Sequence, residues 1–571
     1  MIFSPFPVAN ARRPARRLRF LNRLLGLMVI SLGLGINSVV LAREADAATV
    51  WQWSVPVGEG RAYLWVPETC TRVRAVVLAQ HNMIERGILQ HATWRRALTE
   101  LGVAAVFVVP SIDAVFRFDQ GAGERFDRIL RALADASGYE EIASAPIVPM
   151  GHSAHASFPW NFAASNPGRT LAVLSLKGDA PRTDLTGSGR PNPDWGSRTL
   201  DGVPGLMVMG EYEWWEARLA PLLAYRRAHP AAPLLLVADA GHGHFDATDS
   251  LVDLLVLFLR KTAAARLPAE GTGALRAVDP AHGWLMDRWR GEEAPRAPAA
   301  PFADYTGPRE EAFCCSDGEL ARAIESHYFT SRGKQRSQVG WLKGGALLPL
   351  TNSHAGVELD FLPEADGVTF KLGAELVVPL PPPPPVATKD NRPEPVSVIP
   401  TRAAAGAHAA GPVAIAVVVG PVVPVADGVF RVELDRMVAP SDPRTREAWF
   451  VAHHPGDATY KGAVQQARLR LPRWAEGAEQ VITFPALRDL SVGAAPVALA
   501  ATSSAGLPVR FYVREGPAVV RDGRLHLTPL PPRTRLPVTV TVVAWQFGRG
   551  TPPKIRAADA VERIFRIVPS P

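Results

Sequence analysis

The chain has 571 residues, of which 47% are hydrophobic and 20% charged; this excludes a single small domain and a disordered chain and favours two to four packed domains. Arg12, Arg13, Arg16, Arg17, Arg19 and Arg23 precede the first acid and account for all but one of the seven net positive charges. The remainder carries no basic stripe, which excludes nucleic acid as a partner.

Residues 1–42 read as a signal peptide. A basic stretch ends at Arg23, an apolar run follows over 24–42, and Val40-Leu41-Ala42 and Ala45-Asp46-Ala47 offer small-residue cleavage patterns. The expectation is an exported protein: periplasmic, cell-surface or secreted. Only an uncleaved leader would bring membrane contact, since about 19 apolar residues nearly span a bilayer.

From 48 to 267, apolar runs alternate with helical patterns. Strands are predicted at 73–79, 103–109, 146–150, 171–176, 205–209 and 234–238. Helices are predicted at 94–101, at 124–136 (from the spacing of Phe126, Ile129, Leu130 and Leu133) and at 250–265. Alternation of this kind means an α/β domain with a mainly parallel sheet covered on both faces.

After Pro268 the helical period fades. Residues 268–400 read as linker and irregular or β structure. Within them, 287–312 read as a loose connection, and five consecutive prolines within 380–386 form a stiff spacer. Residues 401–475 read as a β module, with strands near 413–419 and 429–434, and 476–571 as a last β module ending in strands near 538–545 and 564–568. His453 and His454 could be taken for a metal pair, but neighbours in a strand point opposite ways, so a structural role is expected. Only Cys70, Cys314 and Cys315 occur, too few for a disulfide scaffold. Adjacent cysteines rarely pair, and the sequence leaves a bridge from Cys70 to either of the others open.

Three signals within 48–267 carry chemistry. The strand ending at Met150 runs into Gly151-His152-Ser153-Ala154-His155, a sharp turn suited to exposing a serine nucleophile, with the N–H of Ala154 available to an oxyanion. The strand near 205–209 ends in Gly210-Glu211-Tyr212-Glu213, two candidate acids for orienting an imidazole. The strand near 234–238 leads to Gly241-His242-Gly243-His244-Phe245-Asp246, where either histidine could serve as general base. His244 is preferred and His242 is the close alternative. Asp179 is a weaker acid candidate. Trp160, Trp214 and Trp215 lie close in sequence and are read as packing or as an aromatic wall.

In that order, these motifs make residues 50–267 resemble the α/β-hydrolase superfamily, and its secreted esterase and polyester-depolymerase branch most. The resemblance implies Ser153 as nucleophile. It also implies Glu213, at the Gly-x-x-acid position, ahead of Glu211. The second oxyanion N–H would come from Asn82 or Met83, after the first parallel strand. His155 stands where the family usually has glycine, so the turn is expected to be wider or the ring to face outwards. Residues 480–485 and 503–511 resemble bacterial immunoglobulin-like domains, which implies a β-sandwich.

The function expected is hydrolysis of a small or polymeric ester by Ser153, His244 and Glu213. No cofactor is needed, and no metal is expected, because neither a CxxC pair nor an HExxH motif occurs. The rivals are a peptidase of the same fold and a non-catalytic carbohydrate-binding or adhesion protein with a degenerate hydrolase domain. Oligomeric state has no signature in the sequence.

Overall fold

The structure, a computed structural model, describes residues 50–183, 190–269, 273–351, 356–379, 397–437 and 443–570; the leader and the proline run lie outside them. Apolar runs become strands buried along their whole length, as strands covered on both faces must be. They are β3 (Ala75–Gln80), β4 (Val103–Val109), β5 (Ile147–His152), β6 (Val173–Leu176), β7 (Gly205–Gly210) and β8 (Leu234–Asp239). A leading hairpin, β1 (Trp53–Val57) and β2 (Gly60–Trp65), completes an eight-stranded sheet in the order β1-β2-β4-β3-β5-β6-β7-β8. The β1–β2 and β2–β4 pairings are antiparallel and the others parallel.

Seven helices accompany the described sheet: α1 (Glu85–Leu89), α2 (Ala92–Leu101), α3 (Ala122–Ser137), α4 (Ser157–Ser165), α5 (Glu216–Ala228), α6 (Asp249–Arg266) and α7 (Gly318–Phe329). In α3 the buried side chains Phe126, Ile129, Leu130 and Leu133 form one stripe, which is why its period is legible in the sequence. Strand order, crossover helices and the strand-to-helix turn after β5 make this the α/β-hydrolase fold. Its functional loops gather beyond the carboxyl ends of the parallel strands.

The hairpin 53–65 and helices α4 and α5 are additions to the sequence reading. Eight of the nine residues of α4 are buried, so no polar face marks it as a helix, and α5 carries Pro221 in its interior. The segment 287–312 is not a loose connection. Trp289, Ala297 and Tyr305 are buried, and Arg290 donates to Asp287 at 2.7 Å and to Glu311 at 2.6 Å. It lies among β9 (Trp284–Asp287), β10 (Ala300–Pro301) and β11 (Ala312–Cys315), which form a small sheet. The following α7 puts Leu320, Ile324 and Tyr328 into the hydrolase core, and the Tyr328 hydroxyl accepts from the Ala238 N–H at 3.2 Å. All three cysteines are buried and free.

Beyond α7 the chain is β-rich. A four-stranded sheet (Val357–Leu359, Ala463–Arg470, Glu447–His454, Ala414–Val419) and smaller sheets enclose Trp341, Phe370, Phe430 and Phe450. At the end of the chain, the strands Leu490–Ser491, Val561–Val568, Val538–Trp545 and Arg510–Glu515 form a second four-stranded sheet. It packs with the sheet Val497–Ala498, Arg524–Leu527 and Ala518–Arg521 around Leu525, Val540, Val542 and Phe565. This core is continuous with the hydrolase core through β1, β2 and α3. Arg61 pairs with Glu515 at 2.5 Å and Arg533 with Glu141 at 3.0 Å across the same junction. No helix among the described residues is long and apolar enough to cross a membrane.

Candidate active site

The turn after β5 is built around small residues and one strained serine. A Cβ on Gly151 would lie 2.1 Å from the His155 carbonyl oxygen, so only glycine lets the chain fold back there. Ser153 has φ +52°, a left-handed conformation costly for a non-glycine residue and typical of a nucleophile turn. The Ser153 hydroxyl lies 2.8 Å from His244 Nε2. His244 Nδ1 contacts Glu213 Oε2. That carboxylate also accepts from Arg218 at 3.0 Å, and its other oxygen accepts from the Gly210 N–H at 3.2 Å. Serine, imidazole and carboxylate therefore form one continuous relay. Burial, then the positive charges of Arg218 and Lys177, hold the His244 imidazole well below its ordinary range and so neutral near pH 7.

The alternatives are drawn into other tasks. Glu211 accepts from the Gly241 N–H at 2.7 Å and from Lys461 at 2.8 Å, and it contacts Ser331. It therefore ties the acid loop to the histidine loop, to the segment just after α7 and to the β-rich part of the chain. The His242 Nδ1 lies 2.5 Å from Asp246. Burial opposes its protonation, but the Asp239 and Asp246 carboxylates outweigh burial and raise it. Asp179 accepts from the Ser157 hydroxyl at 3.0 Å. Trp160 is core, with its indole N–H on the Asp179 carbonyl at 2.7 Å. Trp214 and Trp215 are half-buried on the acid loop. His454 is held by the Ala410 carbonyl and the Gly456 N–H, so the His453-His454 pair is not assembled as a chelate.

The oxyanion side corrects one expectation. The Met83 N–H donates to Glu85 at 2.8 Å and the His81 N–H to the Val108 carbonyl at 2.8 Å. Met83 is therefore not placed as an oxyanion donor. The Asn82 amide donates to the His152 carbonyl at 2.7 Å. Ala154 is the second residue of a helical turn at Ser153–His155, where N–H groups lack an intrahelical acceptor. His155 faces inwards rather than outwards, at 7% exposure. Burial, then nearby His81 and Arg444, push its imidazole down to about 3, so the ring is an uncharged packing element.

Five further residues escaped the sequence reading. The Glu85 carboxylate is buried and accepts from the N–H groups of Met83 and His152, both at 2.8 Å; burial pushes it up to about 7. His152 Nε2 lies 2.8 Å from the His244 carbonyl. Arg218 supports Glu213, and Lys461 supports Glu211. Lys177 is fully buried below the histidine loop. A lysine ending the apolar run 171–176 was a visible signal for that one. The site also has a wall from far along the chain. Trp449 packs on Phe245 with ring centroids 5.0 Å apart, and Phe245 stands 4.6 Å from the His244 ring. Tyr212 bonds the Gly462 carbonyl.

No family model matches the sequence, and no curated protein is similar to it. Solved structures similar in fold include an S-formylglutathione hydrolase from Agrobacterium tumefaciens (13% identity, 37% of this chain and 93% of that one, TM-score 0.28). A poly(3-hydroxybutyrate) depolymerase from Bordetella parapertussis is 17% identical over 40% of this chain and 98% of that one, with a TM-score of 0.27. A hyperthermophilic esterase from the archaeon Pyrobaculum calidifontis is 14% identical over 44% and 98%, with a TM-score of 0.28. At these scores the likenesses carry no weight for substrate or mechanism.

Proposed function

We propose that the chain is an exported serine hydrolase of carboxylic esters. The observation that carries this reading is the 2.8 Å approach of Ser153 Oγ to a buried, neutral His244 whose other nitrogen meets Glu213. In the first step the hydroxyl proton passes to His244 Nε2 as Oγ attacks the ester carbonyl carbon. The oxyanion is received by the N–H groups of Ala154 and Asn82. Glu213 steadies the imidazolium, which then protonates the departing alcohol. Water, deprotonated by the same imidazole, releases the acid from the acyl-serine. The aromatic pair of Phe245 and Trp449 beside His244 suits an acylated polysaccharide or another extracellular ester. On this reading residues 1–42 are cleaved on export and 476–571 form an immunoglobulin-like docking module.

The test is labelling by a fluorophosphonate together with turnover of acetyl, feruloyl and short-chain aryl esters. Wild type should label and turn over, and Ser153→Ala should do neither. Wild type without labelling or turnover would favour the carbohydrate-binding or adhesion reading.

A further inference from the structure

Below the histidine loop lies a charged cluster whose groups take no step in the ester hydrolysis described above. Lys177 follows β6, is fully buried, and has φ +49°. Strain at a non-glycine residue persists only where the surroundings over-determine it. Its ammonium contacts the Asp239 carboxylate at the end of β8, donates to the Gly243 carbonyl at 2.7 Å, and lies 3.7 Å from Asp246 Oδ1. The same Asp246 oxygen accepts from the Gly243 N–H at 3.1 Å, and its partner oxygen meets His242. Asp239 is met from α7 by His327 Nε2 at 3.2 Å.

Asp239, His242 and Asp246 bring one ligand atom each within 4.8 Å of one another, a donor set of the kind that binds a divalent cation. The lysine ammonium sits against both carboxylates, so the chain itself supplies a cation at this cluster. Burying such charges is costly, and an apolar packing of the same volume is often as stable. The placing of such a cluster directly beneath the general base therefore points to a task beyond stability. Both the N–H and the carbonyl of Gly243, the residue before His244, are gripped by it.

We infer that Lys177 is a positioning residue for the general base: clamped between Asp239 and Asp246, its ammonium fixes the Gly243 carbonyl and so holds His244 Nε2 within reach of Ser153. This rests on the hydrolase reading for its catalytic consequence, though not for its structural one. The charged and titratable groups around the ammonium are Asp239, Asp246, His242, His327, Glu213, His152 and His244, and Arg218 stands beside His244. The lysine's positive charge also helps, after burial and Arg218, to keep the imidazole neutral.

Two variants of the full chain test this. Lys177→Met removes the clamp but strands Asp239, so Lys177→Met/Asp239→Asn is made alongside it to remove the pair together. Two readouts are used: steady-state kinetics on an aryl ester, and imidazole NMR titration with the His244 resonance assigned by His244→Gln. The expected result is a kcat lowered by about 100-fold with KM within about threefold, as for a base displaced by roughly 1 Å. The His244 ring should also protonate at higher pH than in wild type. Folded variants with wild-type kcat and an unmoved His244 titration would overturn the proposal. Should wild type itself neither label nor turn over, the hydrolase reading fails, while the NMR titration still decides whether Lys177 governs His244.

Discussion

Glu211 and Glu213 stand two positions apart in one helical turn but differ by a large factor in expected consequence. Glu213, 8% exposed in its side chain, contacts His244 Nδ1. Replacing it by glutamine keeps the shape but removes the charge that stabilises the imidazolium, and it allows the amide to favour the wrong tautomer. A loss of about 10³ to 10⁴ in kcat is expected, or roughly 4 to 5.5 kcal/mol at 1.36 kcal/mol per tenfold. Glu211 has side-chain exposure of 10% and pairs with Lys461 at 5%. In Glu211→Gln the amide oxygen can still accept from Gly241, but Lys461 keeps only Glu292, which is 59% exposed. Breaking a buried pair costs about 3 to 5 kcal/mol, and the remaining partner places this case near 3 kcal/mol. The assay is p-nitrophenyl acetate turnover paired with urea unfolding. Glu213→Gln should lose kcat by that factor and some stability as well, because Arg218, 11% exposed in its side chain, loses its charged partner. Glu211→Gln should lose stability with kcat within about tenfold. A larger loss of kcat in Glu211→Gln than in Glu213→Gln would refute the assignment of the acid.

The acid limb of kcat/KM should lie below pH 6.5, because burial, Arg218 and Lys177 lower His244 and the base is active only when neutral; a pH–rate profile locates it. Gly151→Ala should abolish fluorophosphonate labelling and lower Tm, since the new methyl would meet the His155 carbonyl at 2.1 Å, a backbone overlap costing at least the roughly 3 kcal/mol at the top of the usual overpacking range. Glu85 is fully buried and raised from 4.5 to about 7. A raised carboxyl favours the folded state below pH 4.5, and that contribution is lost as pH rises through 7. The loss is about 3 kcal/mol. Glu85→Gln, always neutral, should lack this component, so its stability relative to wild type should be greater at pH 8 than at pH 4 in urea unfolding.

The parallel strands were legible because burial on both faces leaves uninterrupted apolar runs, and α3 because only one of its faces is buried. The leading hairpin was not, since its pairing with β4 is long-range, and α4 was not, because a helix buried all round has no period. At the site, the order of the three motifs placed Ser153, Glu213 and His244 together, and the structure brings those three into contact. The sequence could not separate Asn82 from Met83, because the difference lies in one hydrogen bond from Met83 to Glu85. Nor could it foresee that His155 turns inwards, which depends on the room left between β3 and the turn. Lys461 was invisible for a plainer reason: its partner is 250 residues away.

On the proposed hydrolase reading, that last contact bears on what the catalytic unit is. Loops beyond strand ends are the least stable parts of a fold, whereas a catalytic base must be held to within about 0.5 Å. Here the histidine loop is gripped from beneath by Lys177. On one side His327 of α7 accepts from the Ala240 N–H at 3.2 Å, and on another the strands Glu447–His454 and Ala463–Arg470 bring Trp449 against Phe245 and Val464 against Gly243. The acid loop is tied to the same strands through Lys461 and Gly462. The order needed at Ser153, His244 and Glu213 is thus supplied partly by residues beyond 267. The α/β sheet provides the turn and the strand ends; the later β structure restricts the loops that complete the relay. A substitution at Lys461 or Trp449 is therefore expected to act on turnover through loop order, although neither residue lies in the segment that carries the motifs.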